Sequence, residues 1–216
     1  ILVDLEITDS ISSSPKVSKF GGSCPHLPQD SRPTCNSCGN HLEVLLQLYI
    51  PSLPEQVRQL FAPSQQQSLI VFYYCTDCME SNSENALHFK IFNQDDLPNV
   101  VFDLPPNESK INPAVIVSWI PFKSIDGTTE TFHQIFNGQN QLDEVAMEEF
   151  HREIKRQYAG TTYLLGNPDY TEGEYGRPEG MINLACFQQD NNFSMMWGDA
   201  GYAHLWMMPG DENGRF

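Results

Sequence analysis

The chain has 216 residues, and its 12 Lys and Arg against 28 Asp and Glu give a formal net charge of −16 at pH 7. Hydrophobic residues make up 40% of the sequence, which is enough for a packed core and argues against a disordered chain. The acidic balance argues against nucleic acid and against anionic membrane surfaces as partners, because both attract clustered Lys and Arg.

The first half of the chain is predicted to contain strands and one short helix. Residues 1–40 are a lead-in followed by loops, because paired glycines and several prolines interrupt them. The apolar runs that follow predict strands over 41–50, 68–74 and 86–93. Residues 53–61 are predicted as a short helix, with Ser52 as its N-cap and Pro54 in its first turn.

The second half follows a Pro- and Asn-rich connector over 93–113. Its apolar runs predict strands over 114–122, 181–188 and 203–208. Residues 142–158 carry apolar side chains at helical spacing, with acids in the first turn and bases near the end, so they are predicted to form the main amphipathic helix. We therefore predict a single β-rich α+β domain over 1–216, in which most strands are antiparallel.

The two halves, 19–93 and 114–208, show a similar order of motifs. In the first half, Gly22 precedes an apolar strand that carries Gln47; in the second, a Gly-containing turn precedes one that reaches Gln188 at a similar separation. This order predicts two related β halves that pack together, with chance similarity as the alternative. We include Gly22, Gln47 and Gln188 among the candidate binding residues.

Four of the six cysteines form two Cys-x-x-Cys pairs, Cys35 with Cys38 and Cys75 with Cys78. Such a turn places two thiolates on the same side of a loop, and two turns supply the four soft ligands of a tetrahedral zinc site. Gly39 favours this interpretation, because a glycine there allows the positive φ that points backbone amides at sulfur. We predict a structural zinc site, which supports folding and has no open position for catalysis.

The residues leave other interpretations of the cysteines open. Two disulfides would suit a secreted protein, whereas the lack of an export signal favours a reducing compartment. A redox dithiol usually lies at a helix start, but Cys35 lies in a predicted loop. His26 or His41 is an alternative ligand in place of one cysteine. Cys24 and Cys186 have no paired cysteine, and Cys186, which lies in an apolar run, is predicted to pack in the core.

No nucleophile elbow, phosphate-binding loop or His-Glu-x-x-His pattern occurs in the sequence. The best remaining candidate is the loop from Trp197 to Tyr202, with Asp199 among its glycines. Asp199 either caps loop amides or lines a pocket with Trp197 and Tyr202, where its carboxylate takes a basic group. An enzyme that uses Asp199 with His204 is the alternative function.

Four motifs carry a family resemblance: Phe20-Gly21-Gly22-x-x-Pro25, Leu46-Gln47-Leu48, Leu165-Gly166-x-Pro168 and Met196-Trp197-Gly198-Asp199-Ala200-Gly201-Tyr202. They resemble the bacterial YwqG-like family of uncharacterised proteins. The first half, with its two Cys-x-x-Cys pairs, also resembles the eukaryotic programmed cell death protein 2 relatives. The resemblance covers about residues 19–208 and implies one domain with an internally duplicated β-rich core.

The resemblance implies an interaction domain rather than an enzyme, because the eukaryotic relatives are described as ribosomal-protein chaperones and the shared domain as peptide-binding. We therefore expect a chaperone-like module that binds a protein or peptide client, and the net charge of −16 suits a basic client. No apolar stretch reaches the ~20 residues of a transmembrane helix. We expect a cytoplasmic protein with no nucleic-acid or membrane partner. A purely structural domain and a toxin-immunity type binder are further alternatives.

Overall fold

The computed structural model describes residues 2–7, 13–78, 87–103, 111–120, 162–165, 179–188 and 202–212. Within these ranges there is one α-helix, α1 (Glu55–Arg58). The strands are β1 (Leu2–Ile7), β2 (Lys19–Phe20), β3 (Cys24–His26), β4 (Glu43–Tyr49), β5 (Leu69–Tyr74), β6 (Leu87–Phe92), β7 (Val101–Asp103), β8 (Ala114–Ile120), β9 (Tyr163–Leu164), β10 (Ile182–Gln188) and β11 (Tyr202–Met207). The protein is therefore strand-rich, and the predicted β-rich α+β class is confirmed.

Nine of the described strands form one sheet in the order β11-β10-β9-β1-β8-β2-β4-β5-β6, and every pairing in it is antiparallel. The remaining two, β3 and β7, pair with each other. In the large sheet, β1 lies between β9 and β8, and β8 in turn pairs with β2. Strands from both predicted halves are thus parts of the same sheet, while their origin by duplication stays a prediction.

All but one of the longer strands occur where the apolar runs predict them, and the exception is the six-residue β1. The predicted strands over 41–50, 68–74, 86–93, 114–122, 181–188 and 203–208 are confirmed as β4, β5, β6, β8, β10 and β11. Five strands lie in segments where we predicted none: β1, β2, β3, β7 and β9. Four of these have only two or three residues, too few to show a period of two, and they form because a neighbouring strand satisfies their backbone groups.

The short helix is only partly as predicted. It is confirmed as α1, but it covers four residues and its N-cap is Pro54. The prediction that Ser52 caps it is wrong, because the Ser52 hydroxyl donates to the carbonyl oxygen of Tyr49 at 2.7 Å. The amphipathic helix predicted over 142–158 lies outside the described residues. No helix in the described ranges is long and apolar enough to cross a membrane.

The large sheet buries side chains on both of its faces. One core cluster extends from β2 to β11, and within it the rings of Phe20 and Phe187 meet edge to face with centroids 6.2 Å apart. The second cluster covers the opposite face of β4 and β5, includes Val71 and Tyr73, and also contains Cys35 and Cys75. The cysteine pairs therefore border a packed core.

Candidate metal centre

Antiparallel pairing of β4 and β5 brings the two Cys-x-x-Cys pairs together. Glu43, the first residue of β4, lies opposite Tyr74, the last residue of β5. The segment entering β4 and the segment leaving β5 consequently meet at one end of the sheet. Cys38 lies just before β4 and Cys75 directly follows β5, so both pairs lie at this end although they are far apart in the sequence.

The first pair lies in a tight turn that two backbone hydrogen bonds close. The backbone N–H of Cys35 donates to the carbonyl oxygen of Asn40, and that of Gly39 donates to the carbonyl oxygen of Cys35, both at 2.8 Å. The positive φ predicted for Gly39 is confirmed, at +78°. The N–H of Ser37 lies 3.4 Å from the sulfur of Cys35, so this turn points a backbone donor at a candidate ligand.

The second turn is tied both to the first turn and to the sheet. The side-chain amide of Asn40 donates to the carboxylate of Asp77 at 2.9 Å, which joins the two turns directly. The hydroxyl of Thr76 donates to the buried carboxylate of Glu43 at 2.7 Å. These four residues were not predicted as parts of the site, although polar residues next to each cysteine pair are the signal that could have identified them.

The four sulfur atoms lie within 4.8 Å of one another. The sulfurs of Cys38 and Cys75 are 3.6 Å apart, and those of Cys35 and Cys78 are 3.8 Å apart. A tetrahedral site with metal–sulfur bonds of about 2.3 Å places neighbouring sulfurs about 3.8 Å apart. A disulfide needs about 2.05 Å, so these sulfur atoms are not joined as disulfides. The arrangement is that of four soft ligands that could hold one metal ion.

The electrostatics of the group favour thiolates around a cation. The N–H groups of Cys38 and Ser37 stabilise the thiolate of Cys35 and lower its pKa to about 6. The pKa of Cys78 is raised to about 12, first because its thiol is hydrogen-bonded to the side chain of Cys38, and burial raises the pKa of Cys75. Neighbouring thiolates repel one another, so a divalent cation among them would favour ionisation of all four.

The other two cysteines and the two histidines considered as alternative ligands lie outside this group. His41 is exposed, and the ring of His26 lies in β3 with its Nε2 3.2 Å from the carboxylate of Asp103. Neither histidine belongs to the cluster of metal-type ligands among the described residues. Cys186 is completely buried, which confirms the prediction that it packs in the core, and Cys24 is completely buried as well.

Two of the candidate binding residues lie in the first half of the sheet. Gly22 has φ of +78° and precedes β3. Gln47 is fully buried in β4, where its Nε2 donates to the carbonyl oxygens of Val17 at 2.7 Å and Ser14 at 3.1 Å. Gln47 therefore connects β4 to the segment that leads into β2.

The remaining candidates belong to the second half. Gln188 ends β10 and Tyr202 begins β11, and the two lie opposite each other in the strand pairing. Trp197 and Asp199 lie outside the described residues. His204 lies in β11, and burial lowers its pKa. The structure thus brings Gln188 and Tyr202 together and places both far along the sheet from Gln47.

A comparison with protein families gives one match that covers most of the chain. A family described as a domain of unknown function (DUF1963) matches residues 18–216. This range contains the four clustered cysteines and every candidate binding residue. No curated protein matches the chain.

Proposed function

The chain belongs to the DUF1963 family, and from the site that its structure builds we propose that it is a zinc-stabilised, non-enzymatic module that binds proteins or peptides. The observation that carries the metal assignment is the convergence of four cysteine sulfurs within 4.8 Å. Thiolates favour zinc over the hard cations magnesium and calcium, and a closed set of four is typical of a structural zinc site.

The role of the ion is to add strong cross-links between the two turns. Between the turns, the described contacts besides the sulfurs include the Asn40–Asp77 hydrogen bond, whose groups are exposed to water. An exposed hydrogen bond contributes only about 1 kcal/mol. A bound ion would fix the ends of β4 and β5 and keep the second core cluster closed beneath them.

Within the DUF1963 family, we assign the chain to a YwqG-like group related to programmed cell death protein 2. The four sequence motifs and the spacing of the two Cys-x-x-Cys pairs support this assignment. By this relationship the module is chaperone-like and cytoplasmic, and its partner is a client protein or peptide rather than nucleic acid or membrane. The net charge of −16 supports a basic client, because a strongly negative surface attracts one.

Metal analysis and thermal unfolding test the zinc site. We expect about one zinc per chain in protein purified without chelator, and we expect Cys35→Ser to lose it. The melting temperature should fall by roughly 10 °C on zinc loss, which corresponds to a few kcal/mol in a domain of this size. The same fall should follow when a chelator is added to the wild type, but not when it is added to Cys35→Ser.

Cys186→Ala is the matched control, because it removes a buried cysteine outside the cluster. It should lower stability through lost packing and keep its zinc. Wild-type protein that contains no zinc, or that melts at the same temperature with and without chelator, would show that the four cysteines are not a structural zinc site.

Peptides that differ only in charge test whether the client is basic. We expect a fluorescent basic peptide to bind about tenfold more tightly than neutral and acidic versions of the same sequence, because complementary charge favours it. Affinity should fall as salt is raised, since salt screens exposed charges. Fluorescence anisotropy measures both effects, with an unrelated protein of similar net charge as the control. Equal binding of the three peptides, or equal binding to the control protein, contradicts a basic client.

A further inference from the structure

A cleft of about 540 Å³ lies beside β4, and none of its described lining residues belongs to the metal centre. Its lining comes from the segment before β2, from the end of β4 and from residues 94–102, which include a 3₁₀ turn (Leu97–Asn99) and part of β7. This volume is within the usual range of small-molecule sites, about 300–1,000 Å³.

The lining combines an apolar surface with a few polar groups. Tyr49, Leu97 and Phe102 contribute aromatic and aliphatic area, and the exposed amides of Gln67 and Gln94 contribute hydrogen-bond donors. A mostly apolar lining with a small number of polar side chains is typical of sites that bind an amphipathic small molecule.

The charge of the cleft is opposite to that of the chain. Lys16 is the one charged side chain among its described lining residues, although the sequence contains 28 acids. Lys16 forms no ion pair with a carboxylate in the described part of the protein. Its ammonium group is therefore available to a negatively charged ligand.

A second cation lies next to Phe102, one of the residues that line the cleft. The buried ammonium of Lys19 is 5.6 Å from the ring centroid of Phe102, and it donates to the carbonyl oxygen of Ser23 at 3.0 Å. A charge held in a poorly hydrated position is weakly screened. Lys19 consequently makes the electrostatic potential on this side of the cleft more positive.

Hydrogen bonds from Gln47 in β4 hold the segment that carries Lys16 in place. Gln47 donates to the carbonyl oxygens of Ser14 and Val17, on either side of Lys16. The hydroxyl of Ser13 also lies 3.4 Å from that of Ser23. The cleft is thus preformed on this side, which lowers the entropic cost of binding a ligand.

We propose that this cleft binds a small organic acid, in which a carboxylate is attached to an apolar or aromatic body. Lys16 pairs with the carboxylate of the ligand, and the amides of Gln67 and Gln94 donate hydrogen bonds to the carboxylate oxygens. The apolar body contacts Tyr49, Leu97 and Phe102. A basic peptide is disfavoured here by Lys16 and Lys19, so this site is separate from the surface that takes the client.

Calorimetric titration with 3-phenylpropionate, octanoate and 3-phenylpropanamide tests the proposal. The amide has the shape of the aromatic acid without its charge. We expect an acid to bind in the millimolar range or tighter, and the amide to bind at least about fivefold more weakly. Lys16→Gln should weaken binding of the acid about fivefold. Arg58→Gln should leave binding unchanged, because it removes an equal charge in α1, where Arg58 pairs with Glu55.

Three results would overturn the proposal. They are failure of both acids to bind, equal binding of the acid and its amide, and equal affinity of Lys16→Gln and the wild type for the acid. An acetylated tripeptide ending in Phe, with a free or an amidated C-terminus, distinguishes the source of the carboxylate. If the free-acid peptide binds more tightly than 3-phenylpropionate, the site takes a peptide terminus and the small-acid assignment is wrong. None of these results depends on zinc or on the basic client.

Discussion

Lys19 and Cys24 are buried titratable groups whose pKa values move in opposite directions for the same reason. Burial disfavours the charged form of each group, so it lowers the pKa of Lys19 to about 8 and raises the pKa of Cys24 to about 11. The position of neither residue in the sequence indicates that it is buried. A lysine in a two-residue strand becomes buried because β4 and β8 pair on either side of it.

The lowered pKa of Lys19 predicts a dependence of stability on pH. The unfolded chain keeps this proton up to about pH 10.5, and the folded chain keeps it only up to about pH 8. Between these values the unfolded chain binds more protons, so the free energy of unfolding contributed by Lys19 rises with pH. Lys19→Met lacks this rise, and its stability relative to the wild type should therefore fall from pH 8 to pH 10.5.

Urea unfolding of both proteins across this pH range measures the difference. The raised pKa of Cys24 acts in the opposite direction, lowering stability between about pH 9 and pH 11, but it does so in both proteins. The effect of Cys24 therefore largely cancels when Lys19→Met is compared with the wild type. A difference in unfolding free energy that stays constant from pH 8 to pH 10.5 would contradict the burial of a charged Lys19.

At the level of elements, β4 organises the first half of the molecule. It pairs with β2 and β5, it follows the first cysteine turn, and its Gln47 holds the segment before β2. The turn that follows β2 needs a glycine because of a close backbone contact. Gly21 has φ of +56°, and a Cβ there would lie 2.6 Å from the carbonyl oxygen of Ile111. Gly21 thus allows two backbone segments to approach closely.

Replacement of Gln47 tests whether it connects β4 to the neighbouring segment. Gln47→Leu keeps the apolar contacts but removes the donor to two main-chain carbonyl oxygens. We expect it to lower the free energy of unfolding by about 1–3 kcal/mol, the usual cost of leaving such groups unpaired. Gln67→Leu is the control, because Gln67 is exposed and should change stability by no more than about 0.5 kcal/mol. Equal effects of the two substitutions in urea unfolding would contradict this role.

At the level of the whole molecule, residues from both ends of the sequence share one core. Phe20 packs against Phe187, and the N–H of Gly210 donates to the carbonyl oxygen of Leu60 at 2.9 Å. The side-chain amide of Gln65 also donates to the carbonyl oxygen of Asp211 at 3.0 Å. Removal of the proposed zinc from the end of β4 and β5 should therefore lower the free energy of unfolding of the whole molecule. The reason is that these strands belong to the same sheet as the C-terminal ones.

Local patterns in the sequence predict six of the seven longer strands and the four cysteines that could hold a metal ion. An apolar run of six or seven residues that is bounded by turn residues favours a strand, so β4, β5 and β8 could be predicted from their own residues. The spacing of the cysteine pairs and the glycine after Cys38 likewise predict a turn that presents sulfur. These features depend on neighbours within a few residues, which is why the sequence alone sufficed.

Tertiary structure decided which of these pieces meet. The short strands β2, β3, β7 and β9 exist because a partner strand satisfies their backbone groups, and no local pattern encodes that partner. The four sulfurs converge because β4 and β5 are antiparallel neighbours, and the cleft forms because residues 94–102 lie beside the segment that carries Lys16. Contacts between distant parts of the chain depend on the packing of the whole core, so burial of Lys19 and Gln47 could be established only from the folded protein.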